Sequence, residues 1–354
     1  MIGRTRVALA LGSGGARGYA HIGAIQVIEE RGLEIVGVSG ASMGALVGGV
    51  YAAGKLDAYT EWALSLSQLD MVRLLDVSVT APGAIHAEKV LNKVREMLGD
   101  AVIEDLAIPF TAVATDLAAG RSVWFQRGPV DVAIRASIAI PGVITPYVLN
   151  GRVLADGGIL APLPIAPTVG VPSDLTIGIS LGADEPGIAS PENVSSEPRP
   201  MEEWMGRFRR SAAQVFDTDL VRSVVNRFGS APAGDDTTFV DESLEESPGE
   251  NPEETLDTSD GLGPMSAPKF GRVAVMNRSL DIMQSALSRF QLAAYPPDVL
   301  VEVPRTACRS LDFHKAADMI ALGRSLTETA LDAAGYPAPG NGAPEPANSE
   351  GSPA

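Results

Sequence analysis

Residues 35–44 read Ile35-Val36-Gly37-Val38-Ser39-Gly40-Ala41-Ser42-Met43-Gly44, and the fold turns on them. Ile35 to Ser39 is a short apolar run of the kind that forms a buried parallel strand. From Met43 to Ala53 the pattern becomes helical, and Gly54 is placed to end that helix. Between the two lies Gly40-Ala41-Ser42-Met43-Gly44, a G-x-S-x-G sequence at a strand-to-helix turn. There the serine oxygen is presented at the carboxyl edge of a sheet, and the flanking glycines admit a sharp, strained turn. The positive end of the following helix points at the same oxygen. Ser42 is therefore the candidate nucleophile of a nucleophile elbow, the alternative being a glycine-rich turn with a purely structural purpose.

Upstream, Val7 to Leu11 is a second short apolar run, and a helix is predicted from about Tyr19 to Arg31 with Gly32 to stop it. The result is a βαβ unit. Its first connection, Gly12-Ser13-Gly14-Gly15-Ala16-Arg17-Gly18, exposes backbone N–H groups at the sheet edge that also carries Ser42, where they can receive an oxyanion. Arg17 steadies this loop or attracts an anionic group. A dinucleotide site would need glycine where Arg17 stands and an acidic residue at the end of the second strand, where Ser39 and Gly40 lie instead. A P-loop fails because no G-K-S or G-K-T follows.

Downstream, Asp57–Leu75 and Glu88–Leu98 read as helices, and Phe110–Ala114 and Ser122–Phe125 as strands about a turn at Ala118–Gly120. Arg152–Ala155 and Leu175–Ser180 are further strands. A helix from Arg272 to Ala293, a strand at Val299–Val303 and a helix from Phe313 to Ala334 close the pattern. Strands interspersed with helices predict a three-layer α/β/α fold with a mostly parallel central sheet. The organisation expected is a catalytic core over 1–183, a mobile loop over 184–200 and an amphipathic helix over 201–228. An acidic disordered insert over 229–268, a completing C-terminal part over 269–335 and a disordered tail over 336–354 follow.

Charge and composition narrow the function. The chain of 354 residues has net charge −17, and from Ser230 to Gly263 eleven residues are acidic and none is Lys or Arg. That balance argues against a nucleic-acid partner, which needs clustered cations. No apolar run approaches the roughly 18 residues of a membrane span. One cysteine, Cys308, allows no intrachain disulfide and fits a reducing compartment such as the cytoplasm; it reads as a packed small side chain. The 201–228 segment sets Trp204, Phe208 and Phe216 beside Arg207, Arg209, Arg210, Arg222 and Arg227. Packing on the core and peripheral contact with an anionic membrane both suit it. Asp235, Asp236, Asp241 and Glu242 lack the spacing of a calcium loop, so neither a metal nor a cofactor is expected.

The third chemical element is Asp156-Gly157-Gly158, directly after the Arg152–Ala155 strand. Alone, it is a weak pattern whose default reading is a turn-forming Asp. Taken in order, the glycine loop, the G-x-S-x-G elbow and the D-G-G turn resemble the patatin-like phospholipase family over roughly Val7 to Ile165. Ala16-Arg17-Gly18-Tyr19-Ala20-His21-Ile22-Gly23 is especially similar to its bacterial members. The resemblance implies a patatin-like fold, hydrolysis of lipid acyl esters, Ser42 as nucleophile, Asp156 as base, and Gly14 and Gly15 as the oxyanion hole. One departure is Ser13, where the family loop carries the first of three glycines.

Three histidines test the alternative of a Ser-His-Asp triad. His314 has the chain order of an α/β-hydrolase triad but opens an amphipathic helix, where such a histidine belongs on a loop. His21 lies beside the site and reads chiefly as a packed, hydrogen-bonded helix residue; His86 carries no signal. A Ser42–Asp156 dyad is preferred, and it requires Asp156 to be desolvated and close to Ser42. An acyltransferase and a non-catalytic membrane-associated module that retains the fold are the competing functions.

Overall fold

The computed structural model describes residues 4–67, 70, 88–141, 143–183 and 272–338, all within one compact unit. The expected loop at 184–200, helix at 201–228, insert at 229–268 and His86 lie outside the described residues, as does the tail from 339 onward.

Eight strands form one mixed, mostly parallel sheet. Strand β1 (Arg6–Leu11) is followed by a 3-10 turn at Gly15–Tyr19, α1 (Ala20–Glu30), β2 (Glu34–Ala41), α2 (Met43–Ala52) and α3 (Leu56–Ser65). Next come α4 (Glu88–Leu98), β3 (Phe110–Asp116), β4 (Arg121–Phe125), α5 (Val130–Ser137), β5 (Tyr147–Leu149) and β6 (Arg152–Asp156). Strand β7 (Leu175–Ala183), α6 (Arg272–Ala294), β8 (Val299–Pro304) and α7 (Ala316–Ala333) complete the described chain. The sheet order is β5-β6-β3-β2-β1-β7-β8, with β4 paired to β3.

Alternation along β1 separates two faces. Val7, Leu9 and Leu11 point into the large core that holds Ile22, Ile25 and Ile28 of α1 and Leu46, Val47 and Val50 of α2. Ala10 points the other way, to Leu163, Ile165 and Leu292 of α6. Helices therefore cover both faces of the sheet, the three-layer α/β/α architecture expected from the sequence. Burial on both sides is why these strands read as continuous apolar runs.

Register positions the site. Leu11 pairs with Gly40 and with Ile179, so β1, β2 and β7 reach the same sheet edge together. Strand β3 has two edges and three partners. Strand β4 occupies one edge, from Ala112 to Asp116. The other edge is shared: β2 runs parallel along Phe110–Val113, and β6 takes over, antiparallel, along Ala114–Asp116. The carboxyl ends of β2 and β6 thus face each other across the Val113–Ala114 step.

Two expected elements differ. The helix predicted over Asp57–Leu75 ends at Ser65, and Leu66 is extended. Just past the stop, the Ser67 N–H and hydroxyl donate to Asp70 Oδ2 and Ser67 Oγ accepts from the Asp70 N–H, local side-chain bonds that compete with a continuing helix; residues 68–69 and 71–75 lie outside the described residues. The final helix begins at Ala316, preceded by a 3-10 turn at Phe313–Lys315 that carries His314.

Candidate active site

Ser42 is the first residue after β2 and has φ 55° and ψ −122°. A non-glycine residue at positive φ costs roughly 1–3 kcal/mol and persists only where its surroundings hold it. The holder is Ser137, at the end of α5. Its fully buried hydroxyl accepts the Ser42 N–H at 2.8 Å and donates to Val113 O at 2.6 Å. The Ser42 side chain sits at the N-terminal end of α2 and is almost wholly buried.

Asp156 ends β6, 4% exposed. Its N–H donates to Ala139 O at 2.9 Å, and its carbonyl accepts from Thr115 Oγ1 at 2.9 Å. Oδ1 accepts from Gly158 N–H at 2.7 Å, the bond that forms the D-G-G turn. Burial pushes the carboxyl up to about 6, against the opposing pull of the Ser42 hydroxyl and the Gly158 N–H. The hydroxyl is close enough to act on the carboxyl, yet Oδ2 takes no hydrogen bond of full geometry among the described residues.

The glycine loop lies alongside. Gly12 N–H donates to Ile179 O, Ser13 N–H to Pro162 O and Ala16 N–H to Ser310 O, each within 2.9 Å. The N–H groups of Gly14 and Gly15, between these anchors, take no hydrogen bond among the described residues. Gly15 has φ 59° and lies so close to Ser310 O that a Cβ there would collide with it. Ser13, the departure from three glycines, occupies the space where a Cβ on Gly158 would stand. The loop and the D-G-G turn are thereby packed together.

Arg17 holds the loop from below. Nε donates to Leu181 O at 3.0 Å, and Nη1 to Cys308 O at 3.1 Å and Arg305 O at 3.3 Å. His21 is fully buried, with Nε2 2.8 Å from Gly12 O. Burial lowers its pKa to about 4, so the ring is neutral and Nε2 donates. Cys308 is buried in the main core, and burial raises its thiol pKa. His314 is exposed on its 3-10 turn.

The structure thus gathers Ser42, Asp156, Gly14, Gly15 and Arg17 at one sheet edge. Sequence reading missed Ser137, Ala139 and Thr115, which satisfy the backbone where β2 and β6 meet. Ala-Ser-Ile-Ala within an apolar stretch carries no chemical signature, and only the accounting of hydrogen bonds at that break exposes it. Among the described residues, no group of three or more His, Cys, Asp or Glu is placed to hold a metal ion, and no helix is long and apolar enough to cross a membrane.

Comparison with known proteins agrees with this architecture. The family described as patatin-like phospholipase matches residues 9–169. An uncharacterized NTE family protein of Mycobacterium tuberculosis is 54% identical over 337 residues, 93% of this chain and 92% of that protein. The lysophospholipase nte1 of Emericella nidulans is 30% identical over 50% of this chain and 12% of its own length. The human patatin-like phospholipase domain-containing protein 6 is 30% identical over 51% of this chain and 14% of its own length. A lipid hydrolase is the activity that these likenesses support. With identity sustained over nearly the whole of both chains, this protein belongs to the NTE family of patatin-like phospholipase proteins.

Proposed function

We propose that the protein is a serine carboxylic ester hydrolase acting on lipid acyl esters, of phospholipase A or lysophospholipase type, through a Ser42–Asp156 dyad. The observation that carries this reading is the shared edge of β3, where the ends of β2 and β6 turn the Ser42 hydroxyl and the buried Asp156 carboxyl toward each other.

Asp156 accepts the Ser42 proton as Oγ attacks the ester carbonyl, and the carbonyl π pair moves onto oxygen. The N–H groups of Gly14 and Gly15 receive that oxyanion, and each such donor is worth roughly 3–4 kcal/mol of barrier. Collapse expels the alcohol, which takes the proton from Asp156, and leaves an acyl ester on Ser42. Water, deprotonated by the same carboxylate, attacks the acyl-enzyme; the fatty acid leaves and Ser42 regains its proton. An Asp with its usual pKa of about 3.9 is a weak base for a hydroxyl. Burial that raises Asp156 to about 6 brings it nearer to the task while leaving it ionised at neutral pH.

The test is an ester and phospholipid assay on wild type, Ser42→Ala and Asp156→Asn, with fluorophosphonate labelling in parallel. Both variants lose at least about 1,000-fold in turnover, and only Ser42→Ala loses the label site itself. Near-normal turnover by either variant overturns the dyad, and loss in a folded His314→Ala protein would restore the triad. No labelling of wild type favours a non-catalytic module; labelling with acyl transfer to an alcohol in preference to water identifies an acyltransferase.

A further inference from the structure

Where β2 gives way to β6 along β3, the sheet ladder is interrupted, and each backbone group at the break must find another partner. Four such groups are satisfied by two short segments. The Ser137 hydroxyl takes the Ser42 N–H at 2.8 Å and gives its proton to Val113 O at 2.6 Å. Ala139 O takes the Asp156 N–H at 2.9 Å, and Thr115 Oγ1 gives its proton to Asp156 O at 2.9 Å. Ser137 and Ala139 are two residues apart and both are fully buried.

We propose that Ser137–Ala139 is a positioning clamp: one rigid segment at the end of α5 grips the backbone of Ser42 and that of Asp156, and so sets the separation of hydroxyl and carboxylate. The inference deepens the hydrolase reading and rests on it for its catalytic consequence. Three features support a positional purpose beyond simple packing. Ser42 is at positive φ, so its N–H points out of the β2 ladder and needs a partner that the sheet does not supply. The partner is a hydroxyl, the one small side chain group able to accept from Ser42 and donate to Val113 at once. Ser137 and Ala139 are tied to α5 through the Ile138 N–H to Ile134 O bond of 3.0 Å, so both grips move with a single helix end. Neither Ser137 nor Ala139 touches the reacting atoms; each acts through Ser42 or Asp156.

Ser137→Ala deletes both hydroxyl bonds while keeping the backbone grip of Ala139. Ser137→Cys, near in volume with a weaker donor and acceptor, is the variant to use should the alanine protein not fold. Thr327→Val in α7 removes another fully buried hydroxyl bond, Thr327 Oγ1 to Gly323 O at 2.7 Å, away from the site and serves as the control. Three quantities are measured on the full chain: heat-unfolding midpoint, kcat and KM for an activated ester with fluorophosphonate labelling rate, and the titration midpoint of the Asp156 carboxyl carbon by NMR.

In Ser137→Ala, kcat and labelling rate fall about 10- to 100-fold with KM little changed, as a misplaced nucleophile dictates. The Asp156 midpoint moves upward, because the Ser42 hydroxyl that lowers it has drifted away. Ser137→Cys falls between the two, and Thr327→Val loses thermal stability alone. Unchanged Asp156 titration and labelling in both folded Ser137 variants overturn the clamp. Should wild type show neither turnover nor label, the hydrolase reading fails separately, and the carboxyl titration alone still decides whether Ser137 sets the Ser42–Asp156 separation.

Discussion

The imidazole Nε2 of His21, on the first turn of α1, lies 2.8 Å from the carbonyl oxygen of Gly12, the residue at which β1 becomes the glycine loop. This bond ties the loop to the helix that follows it and fixes the direction in which the next N–H groups leave the sheet. His21→Ala strips a buried carbonyl of its donor and leaves a cavity, a loss on the order of 2–4 kcal/mol. Urea unfolding should register that loss, and kcat should fall with it as Gly14 and Gly15 shift. His21→Gln, whose amide can still donate, should recover part of both. Full activity in a folded His21→Ala protein would disprove the loop-orienting role.

Asp156 carries opposite demands in catalysis and in folding. Its raised pKa, about 6 in the native state, means that the folded protein binds its proton more tightly than the unfolded chain, whose Asp titrates near 3.8. Between these values the native state holds more protons, so its contribution to stability falls as pH rises through the window and stays low above it. Asp156→Asn removes that penalty. At pH 7 the variant should be more stable than wild type, by at most ~3 kcal/mol, and the advantage should vanish by about pH 4. Activity runs the other way: the wild-type acid limb should have its midpoint near 6, since the neutral carboxyl accepts no proton. Chemical denaturation and turnover at matched pH values measure the two curves. An Asn variant no more stable than wild type at pH 7 contradicts the burial account.

The parts of the site that were legible in the sequence are those that carry chemistry in a contiguous stretch. Gly40-Ala41-Ser42-Met43-Gly44 reads as an elbow because strand and helix patterns abut it, and Gly12–Gly18 reads as a loop with N–H groups to offer because it follows a buried strand and precedes a helix; the choice of Gly14 and Gly15 within that loop comes from the family resemblance. The meeting of β2 and β6 was illegible. It depends on β3 having a third partner, a relationship between segments more than a hundred residues apart that no local period encodes. Helix α5 escaped for a related reason: eight residues are too few to display a period convincingly, and Ser137 looks there like any small polar residue. Strand β5, with three residues, is shorter still. The helix predicted from Asp57 stops at Ser65 although the apolar pattern continues past Ser67, because the Ser67–Asp70 side-chain bonds compete with the helical ladder there.

Gly15 tests the oxyanion loop. At φ 59° a Cβ costs roughly 1–2 kcal/mol by itself, and at this position it also drives into Ser310 O. Gly15→Ala should therefore displace the loop, lower the unfolding midpoint and reduce kcat by about 100-fold or more, in line with loss of one oxyanion donor. Gly32, also at positive φ with nothing within reach of an added Cβ, is the matched control: Gly32→Ala pays the backbone term alone. If both variants lost stability to the same extent and kept full turnover, Gly15 would be a turn residue without a catalytic purpose.

Arg17 separates loop support from head-group recognition, the two purposes its charge allows. Its guanidinium donates to three main-chain carbonyls, at Leu181, Arg305 and Cys308, and so joins the glycine loop to the end of β7 and the turn after β8. Support of this kind affects every substrate alike, because it acts through the position of Gly14 and Gly15. Recognition of an anionic head group would instead raise KM for an anionic phospholipid and leave a neutral activated ester untouched. The three carbonyl bonds favour support: Arg17→Met should lower kcat about tenfold or more on both substrates and reduce thermal stability, as loss of hydrogen bonds from a charged group dictates. Arg17→Lys should recover little, since one ammonium cannot span three carbonyls in a fixed fork. A variant impaired only on the anionic lipid, with its unfolding midpoint unchanged, would assign Arg17 to the head group and remove it from the loop's framework.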